Sequence, residues 1–225
     1  IHCDAVQVSG KVPLDFRALE VDALTIAAHK FHGPAGIGAL LLRSGVSLQP
    51  LLFGGHQQLA LRPGAEPVAL AVGMCTALQR WEQEAERRSR SLRGRRDEFE
   101  RLLCEQEPTV VVNGEAPRTH QTSNLSFLGL DRQALWMALD LAGVQCATGS
   151  ACASGASEPS HVLQAMGLET ARIDSALRFS LAVTTTSTEV EQAVDRILAT
   201  TKHLRPRISA TNSSASAREG RSKAV

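Results

Sequence analysis

Ala27-Ala28-His29-Lys30-Phe31-His32-Gly33-Pro34-Ala35-Gly36-Ile37-Gly38 follows the apolar run Val21 to Ala28 and overlaps the start of a second, Ile37 to Leu42. Short apolar runs bounded by Gly and Pro read as buried strands. Lys30, flanked by His29 and His32, therefore falls where one strand ends and a glycine-rich turn begins. In α/β sheets, ligands collect at the carboxyl ends of strands. A lysine held in such a pocket can lose its proton and form a Schiff base with a carbonyl group. The plainer alternative is a strand cap with a solvated amine.

A chain of 225 residues, 43% hydrophobic and 21% charged, can bury a substantial core as one large domain or as parts of two. A net charge of +1 gives no general attraction to nucleic acid or to an anionic membrane. No apolar run approaches the ~20 residues of a membrane span. The chain opens at Ile1-His2-Cys3-Asp4 without a basic-then-apolar leader, so no signal peptide is expected. The five cysteines, Cys3, Cys75, Cys104, Cys146 and Cys152, form no C-x-x-C pair. An odd number without secretory context argues for reduced thiols in a cytoplasmic setting, with no metal site.

Ile1 to Ala5, Ala23 to Ala28 and Gly38 to Leu42 read as strands, with a short helix or turn at Phe16 to Glu20. From Pro67 the pattern turns helical, with Val68, Leu70, Ala71, Met74, Ala77 and Leu78 on one stripe. Glu82 to Arg101 continues it. Arg87, Arg88, Arg90, Arg93, Arg95 and Arg96 there are interleaved with Glu82, Glu84, Glu86, Asp97, Glu98 and Glu100, which favours a solvated face over nucleic-acid binding. Further strands are expected at Thr109 to Val112, Ser123 to Leu128 and Leu177 to Ala182. Helices are expected at Asp131 to Leu141, with Asp131 as N-cap, and at Thr188 to Thr201. The alternation describes a small α/β or α+β domain. The domain boundaries so read are 1–63, 64–203 and a basic, Ser- and Ala-rich tail at 204–225 whose composition predicts disorder.

Three features carry chemistry. His2-Cys3-Asp4-Ala5-Val6-Gln7 ends a short strand in a carboxylate. His29-Lys30 is the second. The third is Gly149-Ser150-Ala151-Cys152-Ala153-Ser154-Gly155, followed by Glu158-Pro159-Ser160-His161-Val162-Leu163. A structural cysteine usually sits among bulky neighbours, as Cys104 does beside Leu102 and Leu103. Cys152, in a run of Gly, Ser and Ala, reads as a thiol kept for reaction, or else as a small residue in a tight loop.

In this order D-A-x-Q, H-K with G-P-x-G-x-G-A-L, and G-S-A-C-x-S with E-P-S-H-V-L resemble the cysteine desulfurases of the class V aminotransferase-fold group, over residues 1 to about 200. The resemblance implies an α/β fold: the C-terminal part of the pyridoxal phosphate (PLP)-dependent transferase fold type I, comprising the end of the large-domain sheet and a small α/β domain. It implies that Lys30 holds PLP covalently and moves the Cα proton of L-cysteine. Asp4 would pair with the pyridinium nitrogen, Gln7 with the ring oxygen, and His29 with the phosphate. Arg178 would clamp the substrate carboxylate. Cys152 would take up sulfur as a persulfide for a sulfur-acceptor protein, in iron–sulfur cluster or tRNA thiolation pathways, and the enzyme would be a homodimer. Selenocysteine lyase, or a truncated remnant without catalysis, are the alternatives.

The chain departs from the family pattern at Ala27 and Ala65, where hydroxyl residues usually serve the phosphate, and at Gly54-Gly55-His56, where a third glycine is usual. Each hydroxyl lost from a charged phosphate weakens binding by roughly 1.5–3 kcal/mol. The resemblance begins in mid-domain, which implies that further strands and a phosphate-binding loop would precede Ile1 in the complete enzyme.

Overall fold

The computed structural model describes residues 1–149 and 159–205. These divide into two compact units, Ile1–Arg101 with Gly114–Ser123 and Ser180–Val190, and Leu102–Asn113 with Asn124–Phe179 and the chain from Glu191.

In the first unit, β1 (His2–Asp4) runs parallel to β2 (Ala23–Ala27), with Asp4 opposite Thr25. β2 pairs antiparallel with β3 (Gly38–Leu42), from Ala23 opposite Leu42 to Ala27 opposite Gly38. The apolar runs become strands as their composition predicts, although β1 is shorter than Ile1 to Ala5. Phe16 to Glu20 is a turn. Period-two alternation buries Leu24 and Ile26. Ala5, Ala28 and Phe31 complete their core, against which Val8, Leu14, Phe16, Ile37, Met74 and Leu78 are packed.

Helix α1 (Val68–Gln106) is one uninterrupted run of 39 residues. Its arginine-rich stretch is only partly the solvated face expected. Arg87 is exposed and pairs with Glu84 at 2.6 Å, but Arg96 and Glu100 are buried. Arg96 donates to Thr119 O at 2.8 Å and to Asp97, while Arg118 meets both Glu100 oxygens at 2.8 Å. These bidentate and backbone-directed bonds are what allow charged groups into the interior.

The second unit carries β4 (Val110–Val112), most of β5 (Thr122–Phe127) and β6 (Ala176–Ser180), in sheet order β4-β5-β6 with β4 and β5 antiparallel. Helix α2 (Arg132–Leu141) starts where Asp131 Oδ1 accepts from Gln133 N at 3.0 Å and Ala134 N at 2.9 Å, the cap that the sequence suggests. Helices α3 (His161–Ala165) and α4 (Thr170–Asp174) have no counterpart among the expected elements. Both are single turns, held by the Ser160 cap on Leu163 N and by Arg172, which donates to Asn113 Oδ1 at 2.6 Å and Val112 O at 2.9 Å. Phe127 and Phe179 meet edge to face, ring centroids 6.2 Å apart. Helix α5 (Ser187–Leu204) closes the described chain and buries Val194 and Ile197. Among the described residues no helix is long and apolar enough to cross a membrane. The tail expected to be disordered lies, from residue 206, outside the described residues.

Gly10 sits at φ +66°, and a Cβ there would overlap the Cβ and ring of Phe31. Gly10→Ala combines left-handed strain with a backbone-level clash, so it should cost on the order of 2 kcal/mol or more. Gly94→Ala, inside α1 with open space around it, should instead add about 0.5–1 kcal/mol. Urea unfolding midpoints that shift in opposite directions check this; equal midpoints would mean that Gly10 and Phe31 are not in close contact.

Candidate functional site

The two parallel strands of the first unit end on the same side. There β1 finishes at Asp4, whose Oδ1 accepts from Val6 N at 3.0 Å and starts the turn that follows. β2 leads directly into a 3-10 helix, Ala28–Phe31, which carries His29 and Lys30. This short helix is held at both ends. Phe31 is buried, 1% exposed. His32 takes the left-handed conformation, and Gly33 N returns to Ala28 O at 2.9 Å. Gly33 must be glycine for that return, because a Cβ would stand 2.9 Å from the Ala28 Cβ. With Phe31 inward, His29 is exposed and Lys30 half-exposed. The Lys30 amine makes no hydrogen bond or ion pair with another described residue.

Residues 5–12 wind through consecutive turns, with Ser9 N bonded to Ala5 O at 2.9 Å and Lys11 N to Val8 O at 3.1 Å. They bring Lys11 Nζ to 3.2 Å from Gln7 Oε1. Burial pushes the Lys11 ammonium below its ordinary value, and the charge of Lys30 adds to the effect. Asp4, Gln7, His29 and Lys30, singled out in the sequence, thus all lie in the first unit about the ends of β1 and β2. Lys11 was not singled out; its only signal is a cationic residue four positions after Gln7 in a glycine-containing turn. Thr25 was also missed. Opposite Asp4 in the register, it meets His2 Nε2 through its hydroxyl at 2.7 Å.

Arg178 belongs to the second unit, on β6, half-buried. Its backbone N donates to Ala147 O at 2.7 Å and its O accepts from Ala147 N at 3.0 Å. Its guanidinium has no partner among the described residues. Ala147 lies in the chain just before the small-residue segment that contains Cys152, and Cys152 itself lies outside the described residues. Cys146 is within them. Burial pushes its thiol up to about 12, with the Asp140 charge acting in the same direction, so it stays protonated at neutral pH and is a poor nucleophile.

This donor set suits a phosphorylated pyridine aldehyde. An unpaired amine can take an aldehyde, a carboxylate can hold a ring N–H, and an amide can donate to a ring oxygen. Among the described residues, no group of three or more His, Cys, Asp or Glu could hold a metal ion.

Residues 1–193 match a family model described as aminotransferase class-V. The chain is 42% identical over 197 residues to an IscS-like cysteine desulfurase of Mycobacterium tuberculosis, covering 87% of this chain and 50% of that protein. Among solved structures, a NifS-like protein superposes with a TM-score of 0.80 at 29% identity, over 90% of this chain and 52% of that one. A structure of SspA in complex with cysteine gives a TM-score of 0.62 at 31% identity, over 82% of this chain and 51% of that one. The chain spans about half the length of the curated relatives it matches. The fold is thus that of the NifS-like proteins, in part.

Iodoacetamide at pH 8 should modify Cys146 more than tenfold more slowly than the exposed Cys75. Peptide mass spectrometry over a time course gives both rates. Equal rates would mean that Cys146 is neither buried nor held as a thiol.

Proposed function

Because this chain belongs to the class V aminotransferase family over residues 1–193, we propose that it serves a PLP-dependent cysteine desulfurase. The observation that carries the reading is the placing of an unpaired Lys30 amine at the end of β2, beside a parallel strand that ends in Asp4. Class V aminotransferases and cysteine desulfurases are PLP-dependent, and the residues present fit that cofactor. When bound, PLP supplies an electron sink for carbanion chemistry at the substrate Cα.

In this reading Lys30 binds the cofactor aldehyde and then carries the Cα proton of L-cysteine. Asp4 accepts the ring N–H, Gln7 donates to the ring oxygen, and His29 faces the phosphate. Arg178 clamps the substrate carboxylate. The Cys152 thiolate forms an S–S bond to the substrate sulfur as the Cβ–S bond breaks, leaving alanine and a persulfide that a sulfur-acceptor protein then consumes. Iron–sulfur cluster assembly or tRNA thiolation in the cytoplasm is the proposed destination. The cysteine-bound SspA structure supports L-cysteine as substrate. A homodimer is supported by the exposed Leu51, Phe53 and Leu59, large apolar side chains clustered within nine residues of chain. The alanines at 27 and 65 favour a second reading, a remnant that keeps the fold but no longer retains PLP.

Lys30→Ala should abolish borohydride-trapped attachment of PLP and reduce alanine release by about 10³-fold. Retained attachment would take Lys30 out of the mechanism, and a wild-type protein that stays colourless with PLP would establish the remnant. Cys152→Ser should keep the PLP absorbance and lose the sulfur label that wild type acquires from labelled cysteine. A label persisting in that variant would move the nucleophile elsewhere.

A further inference from the structure

We propose that Lys11 is a positioning residue for Gln7, fixing which end of the Gln7 amide is offered to the cofactor ring. The inference rests on the PLP-binding reading above. A side-chain amide has a donor end and an acceptor end of nearly the same shape, and its neighbours decide which way it points. An ammonium can only donate. With Lys11 Nζ at 3.2 Å, Gln7 is held by Oε1, and Nε2 is left as the free end. A ring oxygen that carries negative charge in the bound cofactor requires that donor end. Reversed, the amide would set its carbonyl against the anion.

Two further observations support the assignment. The Lys11 backbone is fixed in consecutive turns, its N bonded to Val8 O, and its carbonyl accepts from Ser89 Oγ on α1 at 3.5 Å. The backbone bonds set Lys11 four residues from Gln7 within one turn, and the close approach of Gly10 to Phe31 ties this turn to the helix that carries Lys30. Lys11 is also half-buried with no carboxylate partner among the described residues, and a second cation, Lys30, lies near enough to act on it. Half-burying an ammonium without a counter-ion opposes folding. The contact with Gln7 Oε1 offsets part of that cost, whereas a lysine with only a surface role would extend into water.

A double-mutant cycle with Gln7→Ala, Lys11→Met, their combination and Lys11→Arg tests this, with thermal melts confirming that each variant is folded. In the protein without added PLP, the Gln7 side-chain amide NMR signal, assigned by its loss in Gln7→Ala, should move in Lys11→Met and return towards wild type in Lys11→Arg. PLP dissociation constants from fluorescence titration should rise about tenfold in Lys11→Met, the factor expected for one charge-assisted contact. On the Gln7→Ala background, Lys11→Met should change them less than twofold, because its partner is already gone. An unmoved amide signal, or the same loss of affinity on both backgrounds, would overturn the inference while leaving the proposed function intact. A wild-type protein that does not bind PLP would overturn both.

Discussion

The contact between Phe31 and Gly10 is the constraint on which the rest of the first unit depends. Phe31, with Ala28, is buried in a four-residue 3-10 helix whose outward members are His29 and Lys30. Gly10 lies in the turn that carries Gln7 at one end and Lys11 at the other. Because no side-chain carbon fits between them, the two segments are held at backbone distance. Neither is long enough to keep its own shape. A 3-10 turn has poor hydrogen-bond geometry and persists only in short pieces, and the loop after β1 is a chain of turns. Their precision is borrowed from a hydrophobic contact between them, with Leu24, Ile26 and Ala28 behind it.

That arrangement explains how cations gather without acids to pair them. Asp4 is turned to its own loop, accepting from Val6 N, and Lys11 reaches a neutral amide instead of a carboxylate. Lys11 therefore lies within reach of the Lys30 charge with no carboxylate hydrogen-bonded to either side chain among the described residues. A site that stores unfavourable electrostatics in its resting state can release it to a ligand of opposite sign. That is the electrostatic side of the function proposed above, in which the β1 and β2 ends receive an anionic, carbonyl-bearing group. Elsewhere in the unit the opposite rule holds, and the buried Arg96 and Glu100 are paired.

What the sequence made legible was local. Apolar runs bounded by Gly and Pro became β2 and β3, Asp131 capped α2, and Lys30 fell at a strand end. What it hid depended on partners far along the chain. Arg96 and Glu100 read as solvated charges because Thr119 and Arg118, which let them be buried, lie some twenty residues further on. The single-turn helices α3 and α4 have too few residues for any periodicity. They exist through a serine cap and through an Arg172 side chain that reaches Asn113, whose Nδ2 in turn donates to Ser126 Oγ at 2.7 Å. Lys11 escaped notice for the same reason: its importance lies in turn geometry that fixes a distance, and residue type alone does not show it.

The thiols show how composition and structure argue together. Residue type singles out Cys152 by its small neighbours, while structure bears on Cys146, six positions earlier. Burial and the Asp140 charge keep that sulfur protonated, and the adjacent carbonyl is held by Trp136 Nε1 at 3.1 Å, so the residue is occupied as part of the packing. One position on, Ala147 exchanges both backbone bonds with Arg178. The strand that carries the Arg178 guanidinium is thus also bonded to the chain five positions before Cys152. A substitution that shifts β6 would move Arg178 and Ala147 together, so its effects are not assignable to the Arg178 side chain alone. Only a change confined to the guanidinium, with the Ala147 bridge intact, isolates what the Arg178 side chain itself contributes.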